Sequence, residues 1–80
     1  MTKEEICRRL TEIFRDVFDS DLIELSRETV AADIEEWDSL NHIRLIVVIE
    51  KEFLIHLKLE ELKTLKNVGD MLDLIERKIS

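Results

Sequence analysis

The sequence predicts an all-α fold: a four-helix bundle of three main helices and one short one, with a long first loop. Three observations predict it. The 80 residues include one Gly and no Pro, too few for the corners of a turn-rich β fold. Apolar residues recur at helical spacing in separate stretches along the chain. Hydrophobic residues make up 45% and charged residues 39%, the composition of a globular domain and not of a disordered tail. This length predicts one domain, residues 1–80, with no linker, repeat or low-complexity tract. A domain of this size buries only about 60% of the surface its unfolded chain exposes, so its core must be economical.

The first helix is expected from about Thr2 to Phe18. Thr2 and Glu5 form a capping-box pattern that would satisfy two free N–H groups at its start. Ile6, Leu10, Ile13, Phe14 and Val17 define its apolar face; Arg8, Arg9, Glu12, Arg15 and Asp16 read as a solvated face. Residues Asp19 to Trp37 keep no helical period. Turn and cap formers (Ser20, Asp21, Ser26, Thr29, Asp33) alternate there with single apolar anchors at Leu22, Leu25, Val30 and Ile34. An ordered loop holding a short helical turn is expected. Connections longer than about 12–15 residues are uncommon in compact domains and are often functional.

A second helix is expected from Asp38 or Ser39 to about Phe53. At ~100° per residue, Leu45, Ile46, Ile49 and Phe53 share an arc that faces a core. Leu40, Ile43 and Val47 fall in a second stripe on another side of the helix. Either both stripes are buried between different helices, or the second is a partner surface beside the helix N-terminus. Leu57, Leu59, Leu62 and Leu65 suggest a brief third helix or turn around Leu59 to Leu65. Asn67 is an N-cap, with Asp70 in the first turn, for a fourth helix carrying Met71, Leu72, Leu74, Ile75 and Ile79. Arg77 and Lys78 sit in its last turn, where cations suit the helix dipole.

Charge narrows the partners. The chain holds 12 Lys+Arg against 19 Asp+Glu, a net charge of −7. Residues 1–40 carry 5 basic and 12 acidic side chains, and residues 41–80 carry 7 of each, so the whole excess lies in the first half. Nucleic acid and anionic membrane are disfavoured as partners, because both need clustered Lys and Arg. A basic protein surface is the better expectation. Cys7 is the single cysteine, which excludes an intramolecular disulfide and a thiolate metal site, and no metal is expected. Cys7 adjoins the first helix's apolar stripe and reads as a small packing residue. Met1 to Glu5 lacks the apolar stretch of a secretory signal, and the longest apolar run is Leu45 to Ile49; a cytoplasmic monomer is expected.

Asp38, Ser39 and His42 invite a Ser-His-Asp reading, but Ser39 and His42 lie three residues apart on one helix. There the imidazole can hardly approach the hydroxyl while Asp38 orients it. Nor is there a Gly-rich turn for an oxyanion hole, and the chain is not expected to be an enzyme. His42 reads instead as a packed or half-exposed residue. Asp38 and Ser39 can be a helix cap and nothing more, which makes the domain a helical interaction module. Alternatively, a phosphate attached to Ser39 would sit where free N–H groups and the helix dipole favour an anion.

The stretch Glu36-Trp37-Asp38-Ser39-Leu40, followed by an apolar run and Glu50-Lys51-Glu52-Phe53, resembles the acyl carrier protein family. That family is marked by D-S-L at the start of its second helix and an acidic E-x-E-F-like end. The resemblance extends over essentially the whole chain, to the final helix opened by Asn67-Val68-Gly69-Asp70. It implies an acyl-carrier-like bundle in which Ser39 accepts 4′-phosphopantetheine from coenzyme A through a phosphopantetheinyl transferase, with Asp38 and Leu40 as motif residues. The group's thiol would carry acyl or aminoacyl groups as thioesters. Further implied partners are adenylate-forming ligases, ketosynthases and acyltransferase-type enzymes, met by Leu40, Ile43, Arg44 and Val47 and by the acids Asp33, Glu35, Glu36 and Asp38.

The sequence departs from the family's pattern in places. Trp37 stands where the family often has Gly, as also happens in stand-alone carriers of specialised pathways. The second helix is strongly acidic in carriers of bacterial fatty acid biosynthesis. Here residues 39–53 hold Glu50 and Glu52 against Arg44 and Lys51, a balance of zero, and Asn41 follows Leu40. This favours a dedicated carrier in a specialised lipid, polyketide or nonribosomal peptide-type pathway.

Overall fold

The computed structural model describes residues 1–79. Its helices are α1 (Lys3–Val17), α2 (Ser39–Phe53), α3 (Leu59–Leu62) and α4 (Val68–Ile79), with a one-turn 3₁₀ helix at Ala31–Asp33 inside the first connection. There is no strand among the described residues, and the bundle with one long loop matches the predicted class.

At the start of α1 the Thr2 hydroxyl accepts the Glu5 N–H at 3.1 Å, as the capping pattern predicts. The reciprocal arm differs. Glu5 Oε1 takes the Thr2 hydroxyl, at 3.4 Å, in place of the Thr2 amide, because one hydroxyl can accept and donate at once. The helix closes on Asp19, which has φ 51°, with the Ser20 N–H bonded to the Arg15 carbonyl at 3.0 Å. Aspartate tolerates this left-handed position better than most residues. The end of α2 is built the same way on Leu54, φ 54°, with the Ile55 N–H on the Glu50 carbonyl.

α1 packs against both α2 and α4. Ile6, Leu10, Ile13 and Phe14 meet Leu45, Ile46, Ile49 and Phe53 from one side and Val68, Met71, Leu74 and Ile75 from the other, all buried. These are the stripes that periodicity predicted for α1 and α2. Val17 is only half-buried at the margin, as is Cys7.

α3 is a single turn that ends at Leu62, within the helix-or-turn stretch expected to Leu65. Beyond it the backbone tightens into i→i+3 turns, and the Thr64 hydroxyl donates to the Glu61 carbonyl at 2.8 Å. A single turn cannot recover its nucleation cost, so outside contacts hold it. Glu61 accepts the Lys58 N–H at 3.0 Å and pairs with Lys78 of α4 at 2.8 Å. The hydrogen bond from Lys78, helped by that from Lys58, holds the Glu61 carboxyl below its ordinary range.

The long loop is fastened at both ends of its course. Arg15 donates from Nε to the Ile23 carbonyl at 2.9 Å, so this side chain is a strut and not, as expected, part of a merely solvated face. The buried Thr29 accepts the Ser26 N–H on its hydroxyl and the Val68 N–H on its carbonyl. The Gly69 N–H bonds to the Arg27 carbonyl at 2.9 Å, and Arg27 pairs with Asp73 of α4 at 2.8 Å. The hydrogen bond and charge of Arg27 lower the Asp73 pKa. The pair's contribution is therefore present at neutral pH and fades as pH falls through the carboxylate range. Thus loop carbonyls satisfy two N–H groups at the start of α4, and Asn67 Oδ1 takes a third, from Asp70, at 2.9 Å. Asn67 is the cap that its position predicted.

Gly69 is where loop and α4 touch most closely. A Cβ there would lie 2.9 Å from the Arg27 carbonyl oxygen and 3.1 Å from the Arg27 Cβ. Gly69→Ala sets a helix-propensity gain of about 1 kcal/mol against overpacking of about 1–3 kcal/mol, and the neighbour is backbone that also holds a hydrogen bond. Net destabilisation of about 1 kcal/mol is expected in urea denaturation. Stabilisation by about 1 kcal/mol is what propensity alone predicts, and it would mean that the loop does not rest on this glycine.

Candidate functional site

The site begins with the cap of α2. Asp38 Oδ1 accepts the Asn41 N–H at 2.8 Å, and the Asp38 carbonyl accepts the His42 N–H at 2.8 Å. The capping is done by Asp38, as the helix-cap reading of the Asp38-Ser39 pair expects, and the Ser39 side chain takes no part in it. Ser39 is the first helical residue, exposed, and its hydroxyl makes no hydrogen bond among the described residues. The approach to it is rigid: Asn41 donates from Nδ2 to the Glu36 carbonyl at 2.9 Å, and the Asp38 N–H bonds to the same carbonyl at 3.0 Å.

Trp37 explains more. Its indole N–H donates to His42 Nδ1 at 2.9 Å, and the two rings stack with centroids 6.0 Å apart. The same indole meets Phe14 in a T-shaped contact with centroids 5.1 Å apart, and Phe18 lies at 6.1 Å. The segment before Ser39 is therefore pinned between α1 and α2. Accepting at Nδ1 places the neutral imidazole's proton on Nε2, and no Ser39–His42 hydrogen bond forms. The three residues of the triad reading are not assembled, while the half-buried His42 stands as expected.

The second stripe of α2 lies on the surface. Leu40 is 69% exposed, Ile43 62% and Val47 43%, which overturns the alternative in which both stripes are buried. Beside it Ile43, Ile46 and Val47 of α2 and Leu59, Leu62 and Lys63 of the α3 region line an open apolar groove of about 350 Å³, with His42 at one end. The far wall was hard to foresee. Leu59 and Leu62 announce a short helix in the sequence, but nothing there says which side of α2 it lies on.

The predicted acids divide into two kinds. Asp33 and Asp38 have structural duties, since Asp33 Oδ2 accepts the Val30 N–H at 3.0 Å and Asp38 caps α2. Glu35 and Glu36 are exposed, with no ion pair among the described residues. Arg44 is exposed on α2, and its guanidinium donates to Asn41 Oδ1 at 3.4 Å. No group of His, Cys, Asp or Glu that could hold a metal occurs among the described residues, nor any helix long and apolar enough to cross a membrane.

Comparison with known proteins gives this geometry a context. Residues 8–75 match the family model described as the phosphopantetheine attachment site. An acyl carrier protein of Acidothermus cellulolyticus is 33% identical over 75 residues, covering 94% of this chain and 89% of its own. One from Thermosynechococcus vestitus is 32% identical over 80 residues, covering 100% and 99%. Among solved structures, the holo acyl carrier protein of Geobacter metallireducens superposes with a TM-score of 0.88 at 53% identity, over 92% of this chain and 85% of that one. An acyl carrier protein of Thermotoga maritima, 24% identical, shares the fold with a TM-score of 0.77 over 96% and 89%.

Proposed function

This chain belongs to the acyl carrier protein family, carriers that bear phosphopantetheine and are not themselves enzymes, and on that premise we propose that Ser39 is the residue that holds the group. The observation that carries the reading is an exposed serine hydroxyl, free of hydrogen bonds among the described residues, at the first position of a 15-residue helix. With the Asn41 and His42 N–H groups taken by Asp38, those of Ser39 and Leu40 remain for a phosphate, at the positive end of the helix dipole. Asp38 holds the serine at that end, and Leu40 presents an apolar contact beside it.

When bound, the group supplies a thiol that holds acyl or aminoacyl cargo as a thioester. The protein's part is to present that tether and to dock. A tether raises the local concentration of cargo at each enzyme the carrier meets. Leu40, Ile43, Arg44 and Val47 form the docking face, with Asp33, Glu35, Glu36 and Asp38 near its Ser39 end. The groove between α2 and α3 offers cargo an apolar surface. The balanced charge of α2 supports a dedicated carrier in a specialised lipid, polyketide or peptide-type pathway. It would act as a cytoplasmic monomer, a single domain served by a phosphopantetheinyl transferase and by ligases, ketosynthases or acyltransferases.

Incubation with coenzyme A and a broad-specificity phosphopantetheinyl transferase is expected to add the mass of one group per chain, and Ser39→Ala to abolish the gain. Absence of any gain in the wild type, with a control carrier modified in the same tube, would sink the proposal.

A further inference from the structure

The charges of α2 balance on paper but not in space. Both of its acids point their carboxylates into other business. Glu50 accepts the Leu57 N–H at 3.0 Å and lies 3.3 Å from His56, stitching the turn after α2; Glu52 pairs with Arg9 of α1 at 3.3 Å. Its cations are free of such ties. Arg44 and Lys51 are exposed and have no carboxylate partner among the described residues. At ~100° per residue they lie along one flank of the Leu40, Ile43 and Val47 stripe, Arg44 one turn from Leu40 and Lys51 one turn from Val47. Across the groove Lys63, exposed and equally without a carboxylate, closes the other flank. The exposed apolar stripe is thus bordered by three cations without a carboxylate partner among the described residues, against one exposed acid without an ion pair on the α3 side, Glu60, while Glu35 and Glu36 lie beyond its Ser39 end.

We propose that the docking face of this carrier fits an enzyme whose apolar depression is rimmed by carboxylates, with basic groups confined to the end that receives Glu35 and Glu36. This deepens the reading of Leu40, Ile43 and Val47 as a docking face and rests on it. An unlike-charge rim speeds encounter and fixes orientation, and a like-charge rim rejects the wrong partner. A carrier of net charge −7 would be expected to favour a basic rim throughout; the placement of the charges reverses that along α2.

The test uses one acyl-carrier-dependent condensing enzyme in two forms, its natural form with a Lys/Arg docking rim and a form with those residues changed to Glu. Each is titrated into the unmodified ¹⁵N-labelled chain at low salt, and Kd is read from the amide shifts of Leu40, Ile43 and Val47. Because unmodified protein is used, failure to load Ser39 sinks the attachment reading without touching this one. Three exposed charge pairs predict a Kd about 10-fold lower for the Glu-rimmed form. That preference should shrink in 0.5 M salt, where the screening length falls to about 4 Å, and reverse in the Arg44→Glu/Lys51→Glu/Lys63→Glu variant. Equal affinity for the two forms, tighter binding to the Lys/Arg rim, or no shift at the stripe with either form overturns the proposal.

Discussion

Phe14→Ala is expected to cost about 3–5 kcal/mol, the range for emptying a buried aromatic site. An 80-residue domain has about 4–12 kcal/mol in all, so the variant should lose at least about a quarter of its stability. Phe14 is fully buried, in T-shaped contact with Phe18 at 5.4 Å and with Trp37 at 5.1 Å. Removing it leaves a void under the last turn of α1 and deprives the indole of its support. The loss therefore reaches the segment leading to Ser39 as well as the core. Urea denaturation followed by circular dichroism measures the loss, and Trp37, the only tryptophan, reports its own surroundings by fluorescence. A cost below about 1 kcal/mol would show that the aromatic cluster is not a pillar of the fold.

Ile43→Gln should do the opposite, sparing the fold and impairing exchange with partners. Ile43 is exposed on α2, and glutamine is a good helix former, so stability should stay within about ±0.5 kcal/mol. A partner that covers this side chain would lose about 1.5–3 kcal/mol of apolar burial, or roughly 10- to 100-fold in kcat/KM for acyl transfer between carrier and enzyme. The substitution is neutral, so it tests the apolar contact apart from the rim of cations. Unchanged transfer kinetics in a folded Ile43→Gln protein would move the docking face elsewhere.

Much of the fold is legible in the sequence because it rests on local rules. The stripe from Leu45 to Phe53 and the cap at Asp38 fix α2 as Ser39–Phe53. Asn67 and Asp70 fix the start of α4 in the same way. What escaped depends on contacts between distant segments. Trp37 looks in the sequence like a departure from a family glycine; its hydrogen bond to His42 and its seat against Phe14 exist only once α1 lies alongside α2. Arg15 has the spacing of a solvated residue, but the chain returns close enough for it to hold the Ile23 carbonyl. Leucine spacing marks a helix or turn from Leu59 to Leu65 without dividing it, because the spacing continues past Leu62 while the helical backbone does not. In the site itself, Ser39 and the stripe were readable from motif and period. The sign of the charge around that stripe was not, because a count of Glu50 and Glu52 cannot show that both are occupied elsewhere.

The central claim is a covalent group on Ser39, and trypsin isolates the residue conveniently. Cleavage after Arg27 and Arg44 releases Glu28–Arg44, in which Ser39 is the only serine and Thr29 the only other aliphatic hydroxyl. Tandem mass spectrometry of this fragment, from protein purified out of its native host, is predicted to place one phosphopantetheine on Ser39. A fragment that is unmodified throughout, or that carries the group on Thr29, would contradict the account.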